Sequence, residues 1–246
     1  MNTSLPIDEL SWRTARLCLR LSTWMLGPLY VLVTLSLYAA FLYAPTEAEM
    51  GDVQRIFYFH VGAAWNAFLA FFGVFAGGLA YLLTRKRIWD ELAVSCCEVG
   101  LVFTTIVLIT GSIWAKPVWN TWWAWGDPRL MTTMVLWFIY VAYLMLRSSL
   151  PPGEKRSRYC AVFGIIGFLD VPIVWVSIRL WRTIHPVVIT SSGAELDPRM
   201  VHALLVSVLT FTVLGTVLVS LRAASRLHMA AGDSIHQYLL DKKGAI

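Results

Sequence analysis

The sequence predicts an all-α integral membrane protein with six transmembrane helices and a short Trp-rich interfacial helix on the outer face. Three observations carry that expectation. Only 14% of the 246 residues are charged and 58% are hydrophobic, whereas a soluble domain needs roughly 25% charged residues to cover its surface. Six stretches are long and almost free of charge: residues 24–44, 57–83, 92–114, 130–146, 159–178 and 200–221. The shortest, Leu130–Leu146, still has 17 residues, within the range that crosses a hydrocarbon core of about 30 Å. Third, the alternating pattern of a membrane barrel strand is absent, and in lipid a segment must satisfy its own backbone hydrogen bonds, so these stretches are helices. The expected organisation is a single six-span domain over residues 1–246, ending in a cytoplasmic tail at 222–246.

The first apolar run begins late and continues for 21 residues, Trp24–Ala44. A cleaved signal has an apolar core of only about 7–15 residues, so this run reads as a retained helix. Before it, Arg13, Arg16 and Arg20 fall at helical spacing, with Trp12 and Trp24 nearby. That pattern suits a short interfacial helix held at the headgroups. A disordered basic tail is the competing reading.

Six spans put both termini on one side. That side carries 14 basic residues: Arg13, Arg16, Arg20, Arg85, Lys86, Arg87, Arg147, Lys155, Arg156, Arg158, Arg222, Arg226, Lys242 and Lys243. The other side carries 6: Arg55, Lys116, Arg129, Arg179, Arg182 and Arg199. Lys and Arg accumulate in cytoplasmic loops, which places both termini in the cytoplasm. The asymmetry accounts for the net charge of +5 without invoking nucleic acid. Cys18, Cys96, Cys97 and Cys160 all fall at or near cytoplasmic helix ends, so no disulfide framework is implied. There is no C-x-x-C-H, which excludes a c-type cytochrome, and no P-loop, so any ATP is handled by another subunit.

The loops on the basic side are short, and Pro151-Pro152-Gly153 is a breaker cluster. The unusual residues lie in three outer segments. At the start of the second span, Arg55-Ile-Phe-Tyr-Phe-His60-Val-Gly-Ala-Ala-Trp65 places His60 within the first turn or so. Ala63 and Ala64 follow one turn further in and leave flat space beside the ring. A histidine bonded to a neighbouring helix is the bland alternative. In the second segment, five of the twelve residues from Trp114 to Trp125 are Trp: Trp114, Trp119, Trp122, Trp123 and Trp125. An aromatic belt at the headgroups would also collect Trp. Here Trp119, Trp122 and Trp123 fall at i, i+3 and i+4, so a short helix would turn all three to one face as a platform for a large flat ligand. Asp127-Pro128-Arg129 follows, an Asp N-cap with Pro at the first helical position. Arg129 can also meet a ligand carboxylate bidentately. The same start recurs at Asp197-Pro198-Arg199.

The third segment runs from Asp170 to His185-Pro186. Residue 185 is biased to an extended conformation by the following proline, and a neutral imidazole there can ligate iron. His60 and His185 lie on either side of the Trp loop in sequence and are expected at one membrane level. Two imidazoles can supply both axial positions of one haem iron, with Arg129 or Arg182 at its propionates. His202 is a rival ligand near the same surface, whereas His228 and His236 lie on the cytoplasmic side. Glu98 and Asp170 are acids within spans. Such residues are costly and functional by default, although Asp170 can instead serve a backbone group freed by Pro172.

Trp119-Asn-Thr-Trp-Trp-Ala-Trp-Gly-Asp-Pro-Arg-Leu130 resembles the Trp-rich WWD signature of cytochrome c maturation membrane proteins. With the segments around His60 and Trp181–His185, nearly the whole chain resembles the haem exporter protein C family. Gly126 here separates Trp from Asp, Asn120 stands where the family has Gly, and Val61-Gly62 replaces Val-Pro. The resemblance implies a haem-binding subunit with no catalysis of its own. It would present haem b at the periplasmic face of the bacterial inner membrane to a periplasmic haem chaperone (Ccm protein E), for assembly of c-type cytochromes. The implied axial ligands are His60 and His185, with the Trp loop against the haem. The implied partners are ABC ATP-binding and membrane subunits (Ccm proteins A and B) and a small membrane subunit (Ccm protein D). Two other readings are weighed against it. A cytochrome c haem ligase carries a similar Trp loop but generally has more spans or larger outer domains. A membrane di-haem electron carrier needs histidine pairs along its helices, and spans 1, 3, 4 and 5 contain no histidine.

Overall fold

The computed structural model describes residues 9–181, 189–190, 193–194 and 196–244. The architecture is all-α, as the apolar runs predict, and six helical stretches are long and apolar enough to cross a membrane. Helix α1 runs Glu9–Tyr38 and closes in a π turn, Ala39–Tyr43. It is followed by α2 (Ile56–Thr84), α3 (Arg87–Trp119), α4 (Pro128–Ser149), α5 (Glu154–Phe168), α6 (Asp170–Leu180) and α7 (Pro198–Gly244). A two-residue antiparallel pairing, Ile189–Thr190 (β1) with Gly193–Ala194 (β2), lies between α6 and α7. Successive spans run in opposite directions. One end of the bundle therefore gathers the π turn and the α3–α4 connection (the Trp-rich end). The other gathers Arg85–Arg87 and Arg147–Glu154 (the basic end).

Helix α2 is the hub, and small residues let its neighbours approach, as expected where apolar side chains face lipid and helices alike. A Cβ on Gly77 would lie 3.1 Å from the Trp89 carbonyl oxygen of α3, and one on Gly78 would lie 3.1 Å from the Ala161 carbonyl oxygen of α5. A Cβ on Gly62 would collide with the Phe211 ring of α7 at 2.8 Å, a packing reason for glycine at that position. Phe71 of α2 stacks on Tyr140 of α4 within the central cluster, which also holds Val94, Phe103, Leu136 and Val174.

The basic end is tied by ions. Arg147, only 7% exposed, donates to both oxygens of Asp90 at 2.7 and 3.0 Å and reaches Glu91 at 3.4 Å. Ser157 of α5 donates to the same Asp90 carboxylate at 2.7 Å. Glu98 accepts from the guanidinium groups of Arg222 and Arg226, and Arg226 also lies 3.6 Å from Glu91. Glu98, expected to be functional as an acid within a span, is thus the counter-ion that joins α3 to α7.

Three expectations are corrected. The Arg13–Arg20 segment is neither a separate interfacial helix nor a disordered tail. It is the first part of a continuous α1 and packs beside α7, with Ala15 buried against Ile88 and Leu227 and the Trp12 ring tilted against His228 at 4.9 Å between centroids. The fifth span is not one straight helix. It breaks at Leu169, because Pro172 lacks the N–H that would bond Phe168 and its ring crowds that carbonyl. The Trp-rich stretch forms no separate interfacial helix: Trp114 and Trp119 belong to α3, and the chain from Asn120 to Asp127 is irregular, as described below. Helix α7 is continuous over 47 residues, about 70 Å at 1.5 Å per residue, and so runs on well past Leu221 beyond the basic end.

Candidate functional site

His60 sits on the second turn of α2, half-buried, against α3. Its Nδ1 lies 2.8 Å from the Thr110 hydroxyl. Thr110 in turn donates back to the Ile106 carbonyl at 2.7 Å, the usual bond of a helical threonine to the preceding turn. The next residue, Gly111, is what makes room. A Cβ there would stand 3.2 Å from His60 Cε1, so the imidazole lies close against the backbone of α3. One turn along α3 from Thr110 is Trp114, on the same face by helical spacing. Trp114 is buried, and its ring centroid is 5.3 Å from that of Trp119. Thr110 lies nine residues before the end of α3, about 13 Å by helical rise, so His60 is set below the Trp-rich connection.

The connection itself is irregular from Asn120 to Asp127. Asn120 adopts a left-handed conformation, φ 54°, and ends α3. Asn is the commonest alternative to Gly at such a helix stop, so Asn120 suits the turn it makes. Lys116 donates to the Asn120 side-chain oxygen at 3.2 Å. Thr121 then folds the chain back, its hydroxyl donating to the Trp123 carbonyl at 3.0 Å. Trp119, Trp122 and Trp123 therefore do not share a helix face, and the single platform expected from their spacing is replaced by two ring pairs. Trp114 pairs with Trp119, and Trp123 with Trp125 at 6.3 Å. Trp122 and Trp125 are 60% and 73% exposed. The indole Nε1 atoms of Trp114 and Trp123 are buried and have no acceptor among the described residues.

Asp127 is the N-cap of α4. Its carboxylate accepts from the backbone N–H of Arg129 at 3.0 Å and of Leu130 at 3.1 Å, with Pro128 at the first position. Arg129 sits half-buried in that first turn. The parallel start before α7 holds too, with the Arg199 N–H bonded to Asp197 at 2.8 Å. That bond lowers the pKa of the exposed Asp197 below the usual carboxylate value.

His202, the rival ligand, is exposed on the first turns of α7 and holds Tyr43 Oη 3.2 Å from its Nδ1. His185 and Arg182 lie outside the described residues. Asp170 begins α6 at the break, and its Oδ2 has no hydrogen-bond partner among the described residues. Thr110, Gly111 and Tyr43 were not visible as site residues in the sequence. The one local signal was a Thr-Gly pair one turn before Trp114.

Fold and site together define a polytopic membrane protein with an imidazole seated on a neighbouring helix and indoles clustered at one end of its bundle. The family model described as Heme exporter protein C matches residues 10–234. The chain is 30% identical over 210 residues to "Heme exporter protein C" of Escherichia coli (strain K12), covering 85% of each chain. It is 29% identical over 204 residues to the protein of that name from Bradyrhizobium diazoefficiens, covering 82% of this chain and 77% of that one. It is also 30% identical over 177 residues to "Putative cytochrome c biosynthesis ccmC-like mitochondrial protein" of Marchantia polymorpha, covering 72% and 75%. The chain belongs to the haem exporter protein C family.

Proposed function

We propose that this chain binds haem at its Trp-rich end and passes it to a periplasmic haem chaperone for c-type cytochrome assembly. The observation that carries the reading is the half-buried imidazole of His60, against Thr110 and beside the glycine of α3, with Thr110 one turn from Trp114, the innermost of the indoles. Family membership supplies the class of cargo. A neutral imidazole with one ring nitrogen anchored is the usual arrangement of a metal-ligating histidine. The indoles offer the flat apolar surface that a porphyrin requires, and Arg129 offers a cation for a propionate.

In this reading His60 and His185 are the axial ligands of a non-covalently held haem b. Trp114, Trp119, Trp122, Trp123 and Trp125 contact the macrocycle, and Asp127 sets the start of α4 so that Arg129 is placed. The chain is a single six-span membrane domain of the bacterial inner membrane, with both termini cytoplasmic, as its 14-to-6 distribution of basic residues supports. It carries out no chemical conversion. It works with ABC ATP-binding and membrane subunits and a small membrane subunit, and ATP is hydrolysed by the partner.

The absorption spectrum of the purified full chain tests this. Haem should give a six-coordinate low-spin Soret band. His60→Ala or His185→Ala should shift the band or lower haem occupancy, and added imidazole should partly restore it. An unchanged spectrum in the double variant would exclude both histidines as ligands.

A further inference from the structure

We infer that the first turns of α5 seat one phospholipid with an ethanolamine headgroup, at the basic end of the bundle and independently of the haem reading. A cavity of about 480 Å³ is lined there by Glu154, Lys155, Arg158, Tyr159 and Val162. Helix α5 starts at Glu154 and opens the fifth span. Those residues therefore descend, in that order, from the headgroup level towards the bilayer interior.

The charged groups of this cavity differ from those packed deeper in the basic end. Arg147, Arg222 and Arg226 all meet carboxylates. Glu154, Lys155 and Arg158 are exposed and have no ion-pair partner among the described residues. Glu154 and Arg158 even stand four apart, the spacing at which a helix commonly pairs such side chains. Lys155 Nζ instead lies over the Tyr159 ring, 5.9 Å from its centroid, so the ammonium leans one turn inward. Beyond Tyr159 the same side of the helix carries Val162 and Ile166, both exposed.

This sequence of groups matches the order of parts along an ethanolamine phospholipid. From Glu154 to Val162 is about 12 Å of helix, enough for a headgroup and the start of its chains. At the outer edge, the Glu154 carboxylate accepts from the lipid ammonium, which has three N–H donors as a lysine does. One step in, Lys155 and Arg158 meet the phosphate, Arg158 through its planar fork. Tyr159 and Val162 lie beside the glycerol and the first methylenes, and Ile166 continues the apolar track. Basic pockets among membrane helices bind phospholipid headgroups in general. Here the carboxylate at the rim selects among them. A glycerol headgroup brings the phosphate but no cation for Glu154. A choline headgroup brings a cation with no N–H to donate.

Native mass spectrometry of the full chain in detergent tests this. Phosphatidylethanolamine, phosphatidylglycerol and phosphatidylcholine with identical acyl chains are offered in equal amounts. The unaltered chain should retain one ethanolamine lipid in preference to the other two. Lys155→Gln with Arg158→Gln should lower that retention about fivefold or more, since one cation near a headgroup is worth roughly that factor. Glu154→Gln should abolish the preference for ethanolamine over glycerol while the glycerol lipid still binds. Arg85→Gln with Lys86→Gln removes two exposed cations of the same end that lie outside the cavity, and should change neither result. All the substituted side chains are exposed, and unaltered melting temperatures check the folding. Equal retention of the three lipids by the unaltered chain overturns the inference. So does a preference for the glycerol lipid, which would make this a general surface for anionic lipid. A loss in the Arg85–Lys86 variant as large as in the Lys155–Arg158 variant also overturns it, because a diffuse basic belt would then hold the lipid.

Discussion

The two ends of the bundle handle polar groups in opposite ways. At the basic end, Asp90, Glu91 and Glu98 meet Arg147, Arg222 and Arg226, and Ser157 completes the Asp90 carboxylate. Charge is matched with charge, and α3, α4, α5 and α7 are locked together. At the Trp-rich end no buried ion pair is present among the described residues, and the buried Asp127 carboxylate is met by backbone N–H groups. The His60 imidazole lies against the Thr110 hydroxyl, and the indole N–H groups of Trp114 and Trp123 find no acceptor among the described residues. A buried donor left without an acceptor costs about 1–3 kcal/mol, so a fold built only for stability would have removed it. The contrast separates an end closed by its own ion pairs from an end that leaves indole donors without an acceptor among the described residues, as the proposed haem reading expects.

The largest effect should come from breaking the first end. Arg147→Met leaves Asp90 buried with Ser157 as its one remaining side-chain donor among the described residues, and removing one partner of a buried pair costs about 3–5 kcal/mol. The melting temperature and yield of the detergent-solubilised protein should fall sharply. Arg147→Met combined with Asp90→Leu removes both charges and should recover most of the loss, since a buried ion pair is often no better than apolar residues of its volume. If Arg147→Met melts like the unaltered chain, the ion network is not what holds the basic end.

The second effect is on cargo rather than stability. Trp122→Ala with Trp123→Ala should leave abundance in the membrane near normal while haem retention falls. Aromatic contact is worth a few kcal/mol at most, enough for a tens- to hundreds-fold loss of affinity. Trp24, 81% exposed on α1, is the matched control. Trp12 is not neutral, because it packs on His228 beneath Arg16. Equal haem per mole of protein in the paired variant and in Trp24→Ala would make the Trp cluster a lipid anchor and erase the functional half of the comparison.

What the sequence revealed divides along the same line. The spans were legible because lipid demands length and apolarity, both local properties. The caps at Asp127 and Asp197 were legible because Asp-Pro at a helix start acts within three residues. The break at Leu169 could be anticipated from Pro172. The Trp stretch misled because the i, i+3, i+4 spacing of Trp119, Trp122 and Trp123 presumes a helix. The Asn120 and Thr121 between them instead stop α3 and turn the chain. The decisive contacts were out of reach. His60 and Thr110 are 50 residues apart, Arg147 and Asp90 are 57 apart, and no periodicity links such pairs. Thr110 in particular is one threonine among several in an apolar run, and only the packing of α2 on α3 distinguishes it.

The smallest effect sharpens the boundary between structure and site. Asp127 lies in the signature that marks the Trp-rich end, yet its observed work is local, accepting the N–H groups of Arg129 and Leu130. An N-cap replaced by Ala costs about 1 kcal/mol, whereas Asn caps about as well as Asp. Asp127→Ala should therefore lower the melting temperature by a few degrees and reduce haem retention modestly, because the first turn of α4 that carries Arg129 frays. Asp127→Asn should do neither. The Asn variant decides the matter. It keeps the cap and removes the charge, so haem loss in Asp127→Asn at an unaltered melting temperature would mean that the carboxylate itself serves the cargo. Asp127 would then belong with the neutral donors and indoles as part of the reception surface rather than as the pin beneath it.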